Sequence, residues 1–161
     1  MGPLSPLSPP SPPSPPSPLS DNPDPQPPQA SQASQASQSS QLTDILVSLR
    51  DRVMGVSETV LSTVDGLLVV ADAETVHPES VAALAAATLG VSRRIADQAK
   101  VGALREVVAR CGTGHVIVLA VGERALLTVV GDDGLDMAAF QRESPATVEE
   151  LTKVLAADVA Y

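Results

Sequence analysis

Apolar residues first recur with a helical period at Ile45, Leu46, Leu49 and Val53. The spacing predicts a helix from about Thr43 to Met54, capped by the Thr43 hydroxyl and stopped by Gly55 in a left-handed conformation. The pattern then turns β-branched, as SETVLSTV over 57–64 and LLVVA over 67–71, joined by Asp65-Gly66, a strong hairpin signal. Residues 103–111 alternate, with Leu104, Glu106, Val108 and Arg110 on one side and Ala103, Arg105, Val107 and Ala109 on the other. Charges at Arg105 and Glu106 suit a strand at a sheet edge, where they discourage uncontrolled pairing. HVIVLAV (115–121) and ALLTVV (125–130), like 67–71, are apolar at nearly every position, which predicts burial on both faces of the sheet. Turns at Gly112-Thr113-Gly114 and Gly122-Glu123 join these runs into a meander. Beyond Gly131 to Gly134, Leu135 to Arg142 predicts a short helical piece that Pro145 interrupts. A last helix is predicted from Thr147 to Asp158, with Thr147 and Glu150 as a capping box and Val148, Leu151, Val154 and Leu155 inward. The expected domain is α+β: a five-stranded antiparallel sheet with helices on both faces, in the order α-β-β-α-β-β-β-α.

The stretch between the hairpin and the meander organises the rest. Pro78 suits a first helical position and Glu79 complements the positive end of the dipole, so a helix should run to Lys100. Val81, Leu84, Ala85, Thr88, Ile95 and Ala99 form the stripe expected to face the core. No charge occurs from Ser80 to Ser92, and Ala82, Ala83, Ala86, Ala87 and Gly90 fill the sides expected to face away. A surface helix ordinarily carries Lys and Glu there. Small residues instead let another backbone approach, so these positions, with Arg93 and Arg94 after them, are the expected contact surface for a partner. The charge-free run is too short for a membrane span, which needs about 20 apolar residues.

Composition divides the chain. Thirteen of the fifteen prolines lie in the first 28 residues, followed by three ASQ repeats over 30–38. Residues 1–41 are expected to be a disordered Pro/Ser/Gln-rich tail, and 43–158 the folded domain. SPPSPPSP favours a solvated polyproline II rod. Such a rod can serve as an SH3-type ligand or a phosphorylated Ser-Pro tether, but without Arg or Lys beside the prolines the simpler expectation is a spacer. Of the net charge of −9, −2 belongs to the tail, as Asp21 and Asp24, and −7 to the domain. Phe140 and Tyr161 are the whole aromatic complement, so there is neither a basic stripe nor a base-stacking platform, and nucleic acid is not an expected partner. Cys111 is alone, and the N-terminus lacks the basic and apolar regions of a secretory signal. The chain therefore reads as cytoplasmic.

Candidate chemistry is sparse. Cys111 and His115 lie four apart but flank a turn, with no acid placed to orient the imidazole. Two distant His and one Cys make no zinc spacing. Asp132, Asp133 and Asp136 lack the ligand alternation of a calcium loop and read as a solvated turn. Neither Lys100 nor Lys153 stands in a Gly-Lys-Ser/Thr sequence, so there is no P-loop. No cofactor, metal or enzymatic activity is expected.

VLSTVDGLLVVA (60–71), the small-residue helix over 78–100 and the runs REVVARC, HVIVLAV and ALLTVV together resemble the Roadblock family across roughly residues 43–157. That family is named for dynein light chains and includes bacterial regulators of Ras-like GTPases of the gliding-motility and conservon type. The resemblance implies a non-catalytic regulator or scaffold that forms a homodimer and binds a small Ras-like GTPase. Dimers would pair the edge strand, here Arg105, Val107 and Ala109, and set the long helices side by side. A sensor kinase from the same operon would be a further partner. The alternative is a small-molecule sensor or general interaction module on a similar sheet.

Overall fold

The computed structural model describes residues 2–17 and 29–157. Residues 2–17 are exposed and carry no helix or strand. From Gln29 the chain forms α1 (Gln29–Arg52), β1 (Val56–Thr63), β2 (Leu68–Asp72), α2 (Pro78–Ala99), β3 (Glu106–Cys111), β4 (Gly114–Val121), β5 (Ala125–Asp132) and α3 (Met137–Ala157). The strands make one sheet in the order β2-β1-β5-β4-β3, and each neighbouring pair is antiparallel. Helices cover both faces, as the apolar runs require.

Alternation along the central strands sorts their side chains into two cores of unequal size. Leu61, Ile117, Leu119, Leu127 and Val129 pack with Leu42, Leu46, Leu49 and Val53 of α1 and with Phe140 and Leu151 of α3. On the other face Val118 and Leu126 meet Ala85 and Leu89 of α2. A fully buried Leu stabilises by roughly 1.5–3 kcal/mol, so the α1/α3 face carries most of the apolar stabilisation. The α2 layer is thin by comparison.

The connections follow the glycines where geometry demands it. Gly55 has φ +90°, as expected for a left-handed stop, and a Cβ there would collide with the Leu135 backbone. Gly66 has φ +88° in the β1–β2 turn, and its missing Cβ lets the turn settle close to the Ala83 backbone.

Both outer helices differ from expectation. α1 begins at Gln29, fourteen residues before Thr43, so the ASQ repeats are helical and the expected boundary near residue 42 falls inside a helix. Thr43 does not cap; its hydroxyl donates to the Ser39 carbonyl at 2.8 Å within the helix. Buried Leu42, Leu46 and Leu49 anchor the C-terminal half of α1, and propagation from an anchored turn is easier than nucleation for Ala and Gln. Gln38 Nε2 then donates to the Val154 carbonyl at 3.2 Å, tying the extension to the end of α3. α3 is likewise one continuous helix that contains Pro145, not two pieces. Its cap is Asp136, whose Oδ1 accepts the Ala139 N–H at 2.9 Å, while the Thr147 hydroxyl donates to the Glu143 carbonyl inside the helix. Phe140, Ser144, Thr147 and Leu151 are buried on both sides of the proline, and that shared face holds the helix together across one missing N–H.

Candidate partner-binding surface

α2 begins with Pro78 at the first turn, after His77 in an extended conformation, and ends at Lys100 in the left-handed region. The Lys100 N–H returns to the carbonyls of Ala96 and Asp97. Its buried residues are Ala82, Ala85, Leu89 and Ala96. Of the stripe expected in the core only Ala85 is buried; Val81 is half-buried, Thr88 and Ala99 are not buried, and Leu84 and Ile95 are 69% and 62% exposed. The helix is thus turned about its axis relative to expectation. The physical reason is size: the alanines at the start of α2 let it lie close to the Gly66 turn, and in that orientation Leu89 is the large side chain it buries, against Val118 and Leu126.

This rotation redistributes the expected contact residues. Ala82 is 0% exposed, a core residue with no surface to offer. Ala86 is half-buried against Gly66, and Arg93 half-buried beside Asp97, Leu104 and Glu123. Ala83, Ala87, Gly90 and Arg94 are exposed and recur at i, i+4, i+7 and i+11, so they form one open strip. A Cβ added at Gly90 meets nothing within 4 Å. A second exposed strip consists of Leu84, Thr88 and Ile95, which the sequence pattern places in the core, together with Val91, which is 59% exposed. Its spacing is that of a coiled-coil seam, and what sets it apart from the parallel Ala83–Arg94 strip is the size of its side chains, not the period.

The seam borders an apolar groove of about 430 Å³. Val107 and Ala109 of β3, Val116 and Val118 of β4 and Thr128 and Val130 of β5 form its floor, and Val81, Leu84 and Thr88 form one wall. The Thr128 hydroxyl is buried there without a hydrogen-bond partner. β3 is the edge strand on this side of the sheet, opposite β2, and its residues from Val108 to Cys111 are exposed. The strand starts at Glu106 rather than 103, so Arg105 precedes it, exposed, with its carbonyl accepting the Ala120 N–H at 3.1 Å. Seam, groove and open edge are therefore contiguous, whereas the Ala83–Gly90 strip lies on the flank of α2 nearer the β1–β2 turn.

Among the described residues the thiol, imidazole and carboxylates singled out in the sequence are not brought together. Cys111 follows Val107 and Ala109 on the α2 face of the sheet, and His115 precedes Ile117 on the opposite face, so thiol and imidazole point apart. Among the described residues no three His, Cys, Asp or Glu converge as a metal site. Asp132 Oδ1 accepts the Gly134 N–H at 2.8 Å and Asp136 caps α3, so these acids shape the turn. Among the described residues the buried acid is Glu58, on the α2 side of β1. Burial alone would raise its carboxyl, but N–H groups of Thr75, Glu74 and Val76 and the Thr75 hydroxyl outweigh it and hold it below the usual range. This carboxylate pins the loop that leads into α2.

The Roadblock/LC7 domain profile matches residues 42–131. Among solved structures, a Roadblock/LC7 domain from Streptomyces avermitilis superposes with a TM-score of 0.64 at 23% identity, covering 70% of this chain and 95% of that one. Myxococcus xanthus MglB gives 0.69 at 17% identity, covering 76% and 92%. The gliding protein MglB from Thermus thermophilus gives 0.66 at 17%, covering 73% and 90%. At these identities the likeness is one of fold. No protein with a curated description matches. Among the described residues no helix is long and apolar enough to cross a membrane.

Proposed function

The chain belongs to the Roadblock/LC7 domain family, and from that premise we propose that it is a non-catalytic regulator or scaffold, working as a homodimer that binds a small Ras-like GTPase. It would modulate the GTPase's nucleotide cycle or its placement in the cell. The observation that carries this reading is the exposed face of α2, which leaves Leu84, Val91 and Ile95 in water beside an apolar groove and an unpaired strand edge. Large side chains in that arrangement are accounted for by a second copy that continues the sheet at β3 and lays its own seam alongside. The Ala83–Ala87–Gly90–Arg94 strip would remain open on the other flank for the GTPase. The GTPase would bring nucleotide, magnesium and phosphate-binding loop, none of which this sequence provides for.

Light scattering and GTPase pull-down on the same samples test both halves. The wild-type chain should be a dimer. Ile95→Glu and Val108→Pro should be monomers with native circular dichroism, the second because the bond from the Ala120 N–H to the Arg105 carbonyl sets an alternation that turns the Val108 N–H away from β4, so proline there removes a donor of the open edge. In a two-fold contact each side chain counts twice, so losing Ile95 removes roughly 3–6 kcal/mol, at least about 100-fold in dissociation constant. Ala87→Arg should keep the dimer and lose GTPase binding. A wild type that stays monomeric at high micromolar concentration overturns the dimer; an Ala87→Arg variant that binds GTPase normally overturns the assigned strip. The unpartnered Thr128 hydroxyl favours one second reading, a small and largely apolar ligand in the groove that carries one hydrogen-bonding group, and native mass spectrometry showing a retained ligand would support it over the dimer.

A further inference from the structure

Serine stands at every third position from Ser5 to Ser17, and Ser5, Ser8, Ser11, Ser14 and Ser17 are each followed directly by proline. No Lys or Arg lies within the first 28 residues, so the segment lacks the cationic anchor of a docking peptide. The described residues 2–17 are exposed throughout and free of helix and strand. A following proline disfavours the helical region for its neighbour, and outside a packed helix it biases that residue toward extended backbone. Polyproline II has three residues per turn and a rise of about 3.1 Å, so a three-residue repeat sets all five hydroxyls along one edge, roughly 9 Å apart. Each serine thus sits in an extended backbone with its hydroxyl in water, the form in which a peptide lies across a transferase cleft. The chain's other serines differ. Ser20 precedes Asp21, Ser39 and Ser40 lie within α1, where the backbone is already committed to helix, and Ser144, although Pro145 follows it, is buried within α3.

We infer that Ser5, Ser8, Ser11, Ser14 and Ser17 form an acceptor array for a proline-directed serine kinase. Each event moves the terminal phosphoryl group of a nucleoside triphosphate to a serine Oγ. The bond from that phosphorus to the bridging oxygen breaks, the Oγ–P bond forms, the hydroxyl proton passes to the kinase's base, and nucleoside diphosphate leaves. Each phosphate adds about −1.5 to −2. Full modification adds about −8 to −10, which roughly doubles the chain's formal charge of −9. Successive phosphates would sit about one Debye length apart, so they repel and extend the segment. A regulator carrying it would gain a graded charge with no change in its folded domain.

The test is the intact mass and site map of the full chain, isolated with phosphatase inhibitors from the cells that make it. One to five phosphoryl groups are expected, confined to the five Ser-Pro sites of residues 5–18 and absent from Ser20, Ser39, Ser40 and the buried Ser144 of the sixth Ser-Pro pair. Changing all five serines to alanine should abolish incorporation and leave the thermal midpoint unchanged. An unmodified chain, sugar in place of phosphate, or phosphate at Ser20, Ser39 or Ser40 to the same extent overturns the proposal.

Discussion

Glu58 shows what a single residue contributes here. Its carboxylate receives the Glu74 N–H at 2.8 Å and both the N–H and the hydroxyl of Thr75, and it is nearly inaccessible to water. Hydrogen bonds to a charged group are worth about 1.5–3 kcal/mol each, and removing the acceptor strands the donors that surround it. Glu58→Ala should therefore destabilise by roughly 3 kcal/mol, and Glu58→Gln, which keeps one carbonyl oxygen, by less. The folded carboxyl is held below its ordinary value, so its contribution is complete above the usual glutamate range and is lost as pH falls through the depressed folded value. Urea unfolding of wild type and Glu58→Gln should show a stability gap at neutral pH that narrows as the solution is acidified through the carboxylate range; a gap independent of pH would mean the charge is immaterial. Nothing in the sequence marks this residue. In SETV a glutamate reads as the solvent side of a strand, and its donors arrive sixteen residues later, in a loop with no periodicity of its own. Cys111 and His115 are readable as unpaired because the turn between them is short enough to fix their faces.

Whole elements are legible where composition and turns agree. β1, β2, β4 and β5 lie close to the runs read from β-branched residues, and the Asp65-Gly66 turn joins β1 to β2 as expected. The errors concentrate in the helices, where tertiary packing overrides local signals. Thr43 and Thr147 look like caps, but both lie inside helices held by buried Leu42 and Leu151, and α2 presents two apolar stripes between which periodicity alone cannot choose. Two glycine and proline changes probe these elements. Pro145 is exposed within α3, so Pro145→Ala restores an N–H at little loss of packing and should stabilise by about 1–3 kcal/mol, read from the urea midpoint. Gly90 costs α2 roughly 1 kcal/mol relative to alanine, and nothing among the described residues occupies the space its side chain would fill. Gly90→Ala should stabilise the isolated chain by about that amount and weaken the GTPase contact proposed above. Stabilisation with full binding would show that no partner backbone comes close there.

At the scale of the molecule the sheet divides labour between its faces. The large side chains of α1 and α3 hold the fold on one face, while α2 rests on alanines on the other and keeps its exposed leucine, valine and isoleucine outside. Substitutions on the outer strips of α2 can therefore alter association with little effect on folding. The same division predicts how the N-terminal segments differ. Residues 2–17 make no helix or strand and are exposed, so deleting them should leave the thermal midpoint unchanged within error. Extending the deletion through residue 41 removes the first thirteen residues of α1 and with them the Gln38 bond to the Val154 carbonyl near the end of α3. A single such bond contributes about 1 kcal/mol, and the shortened α1 would have to begin at buried Leu42 with no capping side chain before it. The longer deletion should lower the midpoint by roughly 3–6 °C. Differential scanning calorimetry of the two truncations against the full chain distinguishes the cases. Equal midpoints for both would mean that the repeat-bearing half of α1 does not stabilise the domain, although Gln38→Ala in the full chain would still report on the one bond directly.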